Sequence, residues 1–252
     1  MIDYLEHHIV NHCNLKCAGC SHFSSIADEW YEKVGDFCAD FTELAQKTNK
    51  QVRTIRLMGG EPLLHPQVEL FLIQARELFP DSDIQLVTNG LLLNKLKDKL
   101  VPVCNENKIR ICISNYKILD IAKALNGFKF VRVDGKGQLY NISLDLKASQ
   151  NKESAFNHCD LHQHHWFYFQ NGRFYPCCIA GNINIFNKKF GVIDYFSDDE
   201  LSISIYDHSE EEIKEFLDRP LELCKYCNTV KRMRTLEPFH TSKGDIFEWI
   251  CQ

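Results

Sequence analysis

No stretch of this chain of 252 residues approaches the roughly 18 consecutive apolar residues of a membrane-spanning helix. Its start, MIDYLEHHIV, lacks the basic and apolar regions of a signal peptide. A basic surplus is missing too: 29 Lys and Arg stand against 34 Asp and Glu, a net charge of -5. That balance excludes the positive field by which proteins capture nucleic acid nonspecifically. The resulting expectations are a cytoplasmic protein with no membrane and no nucleic-acid partner.

Cysteine, by contrast, is abundant. The twelve thiols stand at positions 13, 17, 20, 38, 104, 112, 159, 177, 178, 224, 227 and 251. A reducing cytosol does not favour a disulfide framework, so metal or redox chemistry is the better reading. Cys38, Cys104, Cys112 and Cys251 are isolated from the groups at either end and read as small apolar filler.

The first half alternates between the periods of strand and helix, the mark of an α/β fold. Strands are expected at 5–11, 52–58, 84–88, 109–114 and 129–133, and helices at 33–47, 67–78 and 93–104, the last interrupted by Pro102. Strands separated by helices imply a parallel sheet wound into an open or closed barrel, with the functional edge at the strands' C-terminal ends. On the fourth strand Ile109, Ile111 and Ile113 make one face apolar, while Arg110, Cys112 and Ser114 share the other. That second face should line the interior. The same alternation places Arg56 and Gln85 inward, where a guanidinium must reach a ligand or pair across the lumen.

Immediately after the first strand comes CNLKCAGC, with Cys13, Cys17 and Cys20. At helical spacing these would be three buried thiols on one face, but Asn14 and Gly19 oppose a regular helix there. Three thiolates in one loop repel unless a cation neutralises them, which argues for a metal. Structural zinc takes four ligands, and a 4Fe-4S cluster has four irons. With three cysteines, one iron is left open.

This C-x3-C-x2-C spacing resembles the signature of the radical S-adenosylmethionine enzymes. Further stretches match that family: GGEP after the second strand (Gly59, Gly60, Glu61), VTNG ending the third (Thr88, Asn89) and ISN ending the fourth (Ser114). The resemblance implies that Cys13, Cys17 and Cys20 bind a 4Fe-4S cluster whose open iron is chelated by S-adenosyl-L-methionine. It further implies that Gly59, Gly60 and Glu61 hold the cofactor's ammonium group, and that Thr88, Asn89 and Ser114 lie near its ribose and carboxylate. The implied chemistry is reductive cleavage to a 5'-deoxyadenosyl radical, with electrons from a flavodoxin or ferredoxin-type reductant. One departure is Gly19, where the family often carries an aromatic residue against the adenine; Phe23 is a substitute or an ordinary core residue.

Strand and helix alternation stops near the polar stretch 147–157, so the domain boundary is drawn at 146/147. Beyond it, HWFYFQNGRFYPCC reads as a hairpin about Asn171-Gly172. Cys159, Cys177, Cys224 and Cys227 are enough to enclose an auxiliary 4Fe-4S cluster or a zinc ion. Cys177, following the proline, is preferred to its neighbour Cys178. The nearby His158, His162, His164 and His165 read as solvated or hydrogen-bonded residues, with proton acceptance from a substrate hydroxyl as the functional alternative. The arrangement resembles the twitch domain, the short form of the SPASM extension, and the architecture of 2-deoxy-scyllo-inosamine dehydrogenase. The expected fold is therefore a partial (β/α)6 radical SAM barrel at 1–146 with a twitch/SPASM-like iron-sulfur domain at 147–252.

The resemblance implies an oxidoreductase acting on a small non-peptidic substrate, a sugar or cyclitol, by dehydrogenation. The alternatives are modification of a ribosomal peptide, redox-neutral epimerisation, deoxygenation or decarboxylation of a sugar, and a zinc-stabilised binding module. The first strand begins almost at Met1, leaving no room for the recognition domain that precedes the barrel in many peptide-modifying members, which favours the small substrate.

Overall fold

Residues 2–116, 118–135, 138–140, 142–229, 236–238 and 240–251 are described by the computed structural model. By packing, the chain divides into two units: Met1–Asn14 with Glu29–Gln138, and Leu15–Asp28 with Leu139–Gln252. The division is discontinuous, a feature that a linear boundary at 146/147 does not express.

In the first unit, strands and helices alternate as β1 (Ile2–Val10), α1 (Val34–Lys47), β2 (Val52–Gly59), α2 (Val68–Leu78), β3 (Asp83–Thr88), α3 (Leu93–Glu106), β4 (Arg110–Ser114), α4 (Ile121–Leu125) and β5 (Val131–Asp134). Each strand pairs in parallel with the next, in the order β5-β4-β3-β2-β1. One sheet face is apolar, with Leu5, Ile9, Ile55, Leu57, Ile84, Leu86, Ile111 and Ile113 all buried. Phe37 and Phe41 of α1 meet the ring of His7 edge-on, and Phe37 meets Phe71 of α2. Every such fully buried side chain contributes about 1.5–3 kcal/mol, which is why the helices cover this face. The opposite face presents Tyr4, Glu6, Arg56, Gln85, Arg110 and Cys112, as the alternation predicts.

Pro102 does not end α3, which runs to Glu106. Proline costs a helix interior about 3 kcal/mol. Burial of Leu93, Leu100 and Cys104 along one face of this helix outweighs that cost.

β6 (Gln138–Tyr140) straddles the division. The second unit then contains α5 (Lys152–Asn157), α6 (Asp160–Gln163), the antiparallel hairpin β7 (Phe167–Gln170) and β8 (Arg173–Tyr175), α7 (Cys178–Phe190), α8 (Asp198–Leu201), β9 (Ile203–Ser204) and α9 (Glu210–Leu217). β9 adds to β8 in antiparallel fashion. The hairpin turns at Asn171 and Gly172, both at positive φ, as a two-residue hairpin requires. α9 opens on a capping box between Ser209 and Glu212. Phe23, Phe186 and Trp249 gather in the unit's core, with Phe23 and Phe186 centroids 5.4 Å apart. Phe23, fully buried in this cluster, is thus a core residue. Among the described residues no helix is long and apolar enough to cross a membrane.

Candidate functional site

At the C-terminal edge of the first unit's sheet, the exits of β1 and β2 lie against each other. Gly60 N donates to Val10 O at 2.8 Å and Glu61 N to His12 O at 3.1 Å. A Cβ on Gly59 would stand 1.9 Å from Val10 O, and one on Gly60 2.0 Å from His12 O. Real side chains do not tolerate such distances, so the two glycines permit this approach of one backbone to another. What they press upon is the chain segment leading into Cys13.

Glu61 follows at once and is wholly buried. Its Oε1 accepts from Thr88 Oγ1 at 2.6 Å and from Leu63 N at 3.1 Å, and its Oε2 accepts from Asn89 N at 2.9 Å. No lysine, arginine or histidine pairs with it among the described residues. Burial pushes this carboxyl up to about 7, against the opposing pull of the hydrogen bonds from Thr88, Asn89 and Leu63. A carboxylate so placed is short of one positive charge.

Asn89 carries the network onward. Its amide nitrogen donates to Asn14 Oδ1 at 2.7 Å and lies 3.9 Å from Cys13 Sγ, while its oxygen accepts from Leu91 N at 3.0 Å. Gly60, Glu61, Thr88, Asn89 and Cys13 are therefore joined through hydrogen bonds or close contacts. Ser114 is half-buried at the end of β4, in register with Asp134 of β5. Sequence reasoning missed Asn14, whose signal is the asparagine directly after the first cysteine.

Cys17 and Cys20 belong to the second unit. Cys17 is buried and bridges Thr241 in antiparallel fashion, flanked by bonds from Ala18 N to His240 O and from Ser242 N to Lys16 O. Trp249 Nε1 donates to Cys20 O at 3.0 Å. Burial would raise the Cys20 thiol, but hydrogen bonds and charge from His22, joined by a backbone bond from Ser24, outweigh it and bring the thiol below its ordinary value. Thr241 and Trp249 carry no motif, so nothing local in the sequence announced them.

The second cysteine group converges. Cys159 precedes α6, Cys177 caps α7, Cys224 lies in a short 3-10 turn at Glu222–Tyr226 and Cys227 ends that turn. All four line one concavity enclosing about 480 Å³, part of it open to solvent, with His162 and apolar walls that include Phe156, Ile179 and Leu223. Cys178 is buried but does not line it. Burial and the neighbouring Cys178, Cys159 and Cys227 hold the Cys177 thiol well above its ordinary value. Burial likewise pushes Cys224 up to about 11, with Cys159 adding to it. Buried thiols crowded together become thiolates only when a cation sits among them. The donor set fits a four-thiolate metal or iron-sulfur centre. Of the four histidines, His162 alone reaches this concavity, stacked on Phe156 at 3.6 Å; His158, His164 and His165 are exposed.

Arg110 and Arg56 separate in the structure. Arg110 pairs with Asp83 at 3.1 Å, whereas Arg56 stands 4.0 Å from both Glu6 and Asp134.

Comparison with known proteins bears on these groups. Residues 8–114 match the model of the Radical SAM superfamily, a span that includes the first three cysteines, GGEP, VTNG and Ser114. The GTP 3',8-cyclase of Nautilia profundicola is 31% identical over 99 residues, 39% of this chain and 31% of that protein. That of Sulfurimonas denitrificans is 25% identical over 151 residues, 59% of this chain and 46% of that protein. The chain thus spans less than half the length of these curated relatives. The crystal structure of BtrN in complex with AdoMet and 2-DOIA superposes with a TM-score of 0.54 at 17% identity, covering 100% of this chain and 99% of that one. This likeness supports the partial-barrel reading of the α/β fold, and the family implies a 4Fe-4S cluster and S-adenosylmethionine. Over residues 8–114, its sheet and cysteine loop, the chain is thus similar to the radical SAM superfamily, and it shares the fold of BtrN.

Proposed function

We propose that this enzyme oxidises a small non-peptidic substrate, a sugar or cyclitol, by a radical route that ends with an electron passed to a second iron-sulfur cluster. When bound, the first cluster and S-adenosylmethionine would supply a 5'-deoxyadenosyl radical able to take hydrogen from a carbinol carbon, the auxiliary cluster would supply an acceptor for the remaining electron, and the hydroxyl proton would pass to a base. The residues proposed for the first cluster are Cys13, Cys17 and Cys20, on their spacing in the sequence. Gly59, Gly60 and Glu61 are proposed to receive the cofactor's ammonium, the missing positive charge beside the buried Glu61. Thr88 and Asn89 hold that carboxylate in place, and Ser114 is proposed to meet the cofactor from the end of β4. A flavodoxin or ferredoxin-type protein is the proposed reductant.

The observation that carries the oxidative reading is the single concavity shared by Cys159, Cys177, Cys224 and Cys227. It supports 147–252 as a twitch-like domain with a fully protein-ligated cluster, since four thiols leave no iron open for substrate. The cyclase likeness covers 39% and 59% of this chain in the two relatives, and the substrate of those relatives does not transfer with it.

Anaerobic reconstitution tests this reading: iron content should be about eight per chain, since each of two cuboidal clusters has four. Replacing Cys159, Cys177, Cys224 and Cys227 together with Ala should leave about four. That variant should still release 5'-deoxyadenosine but form no ketone from a sugar or cyclitol that the wild type oxidises. Four irons with one bound zinc in the wild type would end the electron-acceptor role.

A further inference from the structure

Besides its cysteines, the concavity shared by Cys159, Cys177, Cys224 and Cys227 has two polar residues in its wall, His162 and Thr229, set among apolar ones such as Ala155, Ile179 and Leu221. His162 is served from outside. Its side chain is 21% exposed, its ring is stacked on Phe156, and its Nε2 lies 3.9 Å from the exposed carboxylate of Asp218. Thr229 differs. It is 5% exposed, and its hydroxyl makes no hydrogen bond among the described residues. A hydroxyl shut away from water without a partner is costly, so the one place left to supply a partner is the concavity that Thr229 lines.

The backbone holds this threonine beside a thiol. Thr229 N donates to Cys227 O at 3.1 Å, Cys227 N to Cys224 O at 3.1 Å and Asn228 N to Ser143 O at 3.1 Å, while Cys227 also bridges Leu144. Thr229 is therefore fixed two residues past Cys227. At Cys177 the main chain already provides a donor, because Ala180 N donates to the Cys177 Sγ at 3.5 Å. A hydroxyl brings one O–H donor, and the sulfurs of a four-thiolate iron-sulfur centre are acceptors whose hydrogen bonds help to set its potential.

We infer that the Thr229 hydroxyl donates to a sulfur of the centre held by these four cysteines and raises its reduction potential. The inference rests on the auxiliary iron-sulfur reading above and deepens it. Reduction by one electron makes the sulfurs more negative, so a hydrogen bond to them is stronger in the reduced state and favours it. The apolar wall strengthens the effect, since little else there competes for the donor. The electron comes from a substrate that has lost a hydrogen atom from carbon and a proton from oxygen. Its transfer leaves a ketone and a centre reduced by one electron. Zinc has no redox couple, so in a zinc site the hydroxyl would have nothing of this kind to tune.

Redox titration of the full chain with both clusters loaded, followed by electron paramagnetic resonance, tests the inference. Two midpoints are expected, and the one missing when Cys159, Cys177, Cys224 and Cys227 are changed to Ala belongs to the second centre. Thr229→Val keeps the shape and removes the hydroxyl. It should lower the second midpoint by about 59 mV, a tenfold change in a one-electron equilibrium, while the first midpoint and the iron content stay unmoved. Thr229→Ser should restore the wild-type value. An unmoved second midpoint, equal shifts of both midpoints, failure of Ser to restore the value, or loss of iron from Thr229→Val overturns the tuning role. Metal analysis of the wild type is scored separately. Zinc in place of the second set of irons sinks the auxiliary-cluster reading and the inference with it, while about eight irons with an unmoved second midpoint sink the hydroxyl's role alone.

Discussion

Replacement of Glu61 by Gln perturbs the most enclosed charge of the candidate site. In the unfolded chain this carboxyl has an ordinary value near 4.5, and in the folded chain burial pushes it up to about 7. Across that window the folded state holds a proton that the unfolded state has released, so stability is full below about pH 4.5 and declines as pH rises towards 7 and beyond. The whole decline is roughly 3 kcal/mol, from about 1.4 kcal/mol for each pH unit of displacement. Gln does not titrate, so this part of the pH dependence should vanish in the variant. At pH 5 its amide sets two N–H donors where the protonated carboxyl sets one O–H, so one further donor faces Leu63 N and Thr88 Oγ1 or Asn89 N, which costs about 1–3 kcal/mol. Urea unfolding of both proteins at pH 5 and pH 8, at equal iron load, should show the variant losing its deficit as pH rises. A cofactor ammonium beside Glu61 would restore the carboxylate. At pH 7, where about half the molecules carry the proton, S-adenosylmethionine should expel about half a proton per site, read by calorimetry in two buffers of different ionisation enthalpy. The variant should expel none and bind the cofactor more weakly with its iron intact. Equal proton release from both proteins, or parallel stability against pH, would refute the reasoning.

Three other outcomes are expected. Changing Cys13, Cys17 and Cys20 together to Ala should abolish reductive cleavage of S-adenosylmethionine, measured as 5'-deoxyadenosine by chromatography; retained cleavage would remove these residues from the cofactor's cluster. Cys177→Ala should disrupt the auxiliary centre and lower iron content, whereas Cys178→Ala, outside the concavity, should leave iron content unchanged by colorimetric assay; the reverse order would reassign the ligand. Gly60→Ala places a methyl 2.0 Å from His12 O, so the variant should lower the thermal midpoint by several degrees and reduce cofactor affinity together.

Much of the first unit was legible because period is local. The apolar triplet Ile109, Ile111 and Ile113 announces which way β4 faces, and with it the inward Arg110, Cys112 and Ser114. Motifs were legible where chemistry demands a residue type: a hairpin needs positive φ at Asn171 and Gly172, and a four-thiolate pocket needs four cysteines. Pro102 was over-read as an interruption because the buried face that overrides it depends on the partner sheet. The difference between Arg56 and Arg110 was invisible, since both are inward arginines until Asp83 is found beside one of them. The discontinuous division was also beyond reach. Nothing in residues 15–28 says that their hydrogen bonds go to residues near 240, more than two hundred positions along.

That last pairing bears on how the enzyme is made. The ribosome releases Cys13, Cys17 and Cys20 well before the strand partner of Cys17 at Thr241 and the indole that holds the Cys20 carbonyl at Trp249, the latter 229 positions further along. Until residues 240–249 have emerged, the stretch around Cys17 and Cys20 lacks its fixed backbone. An iron-sulfur delivery system that acted on the chain before then would meet an unformed loop, so loading belongs after residue 249 has emerged. Premature termination near residue 240 would strike the cysteines at the opposite end of the sequence first.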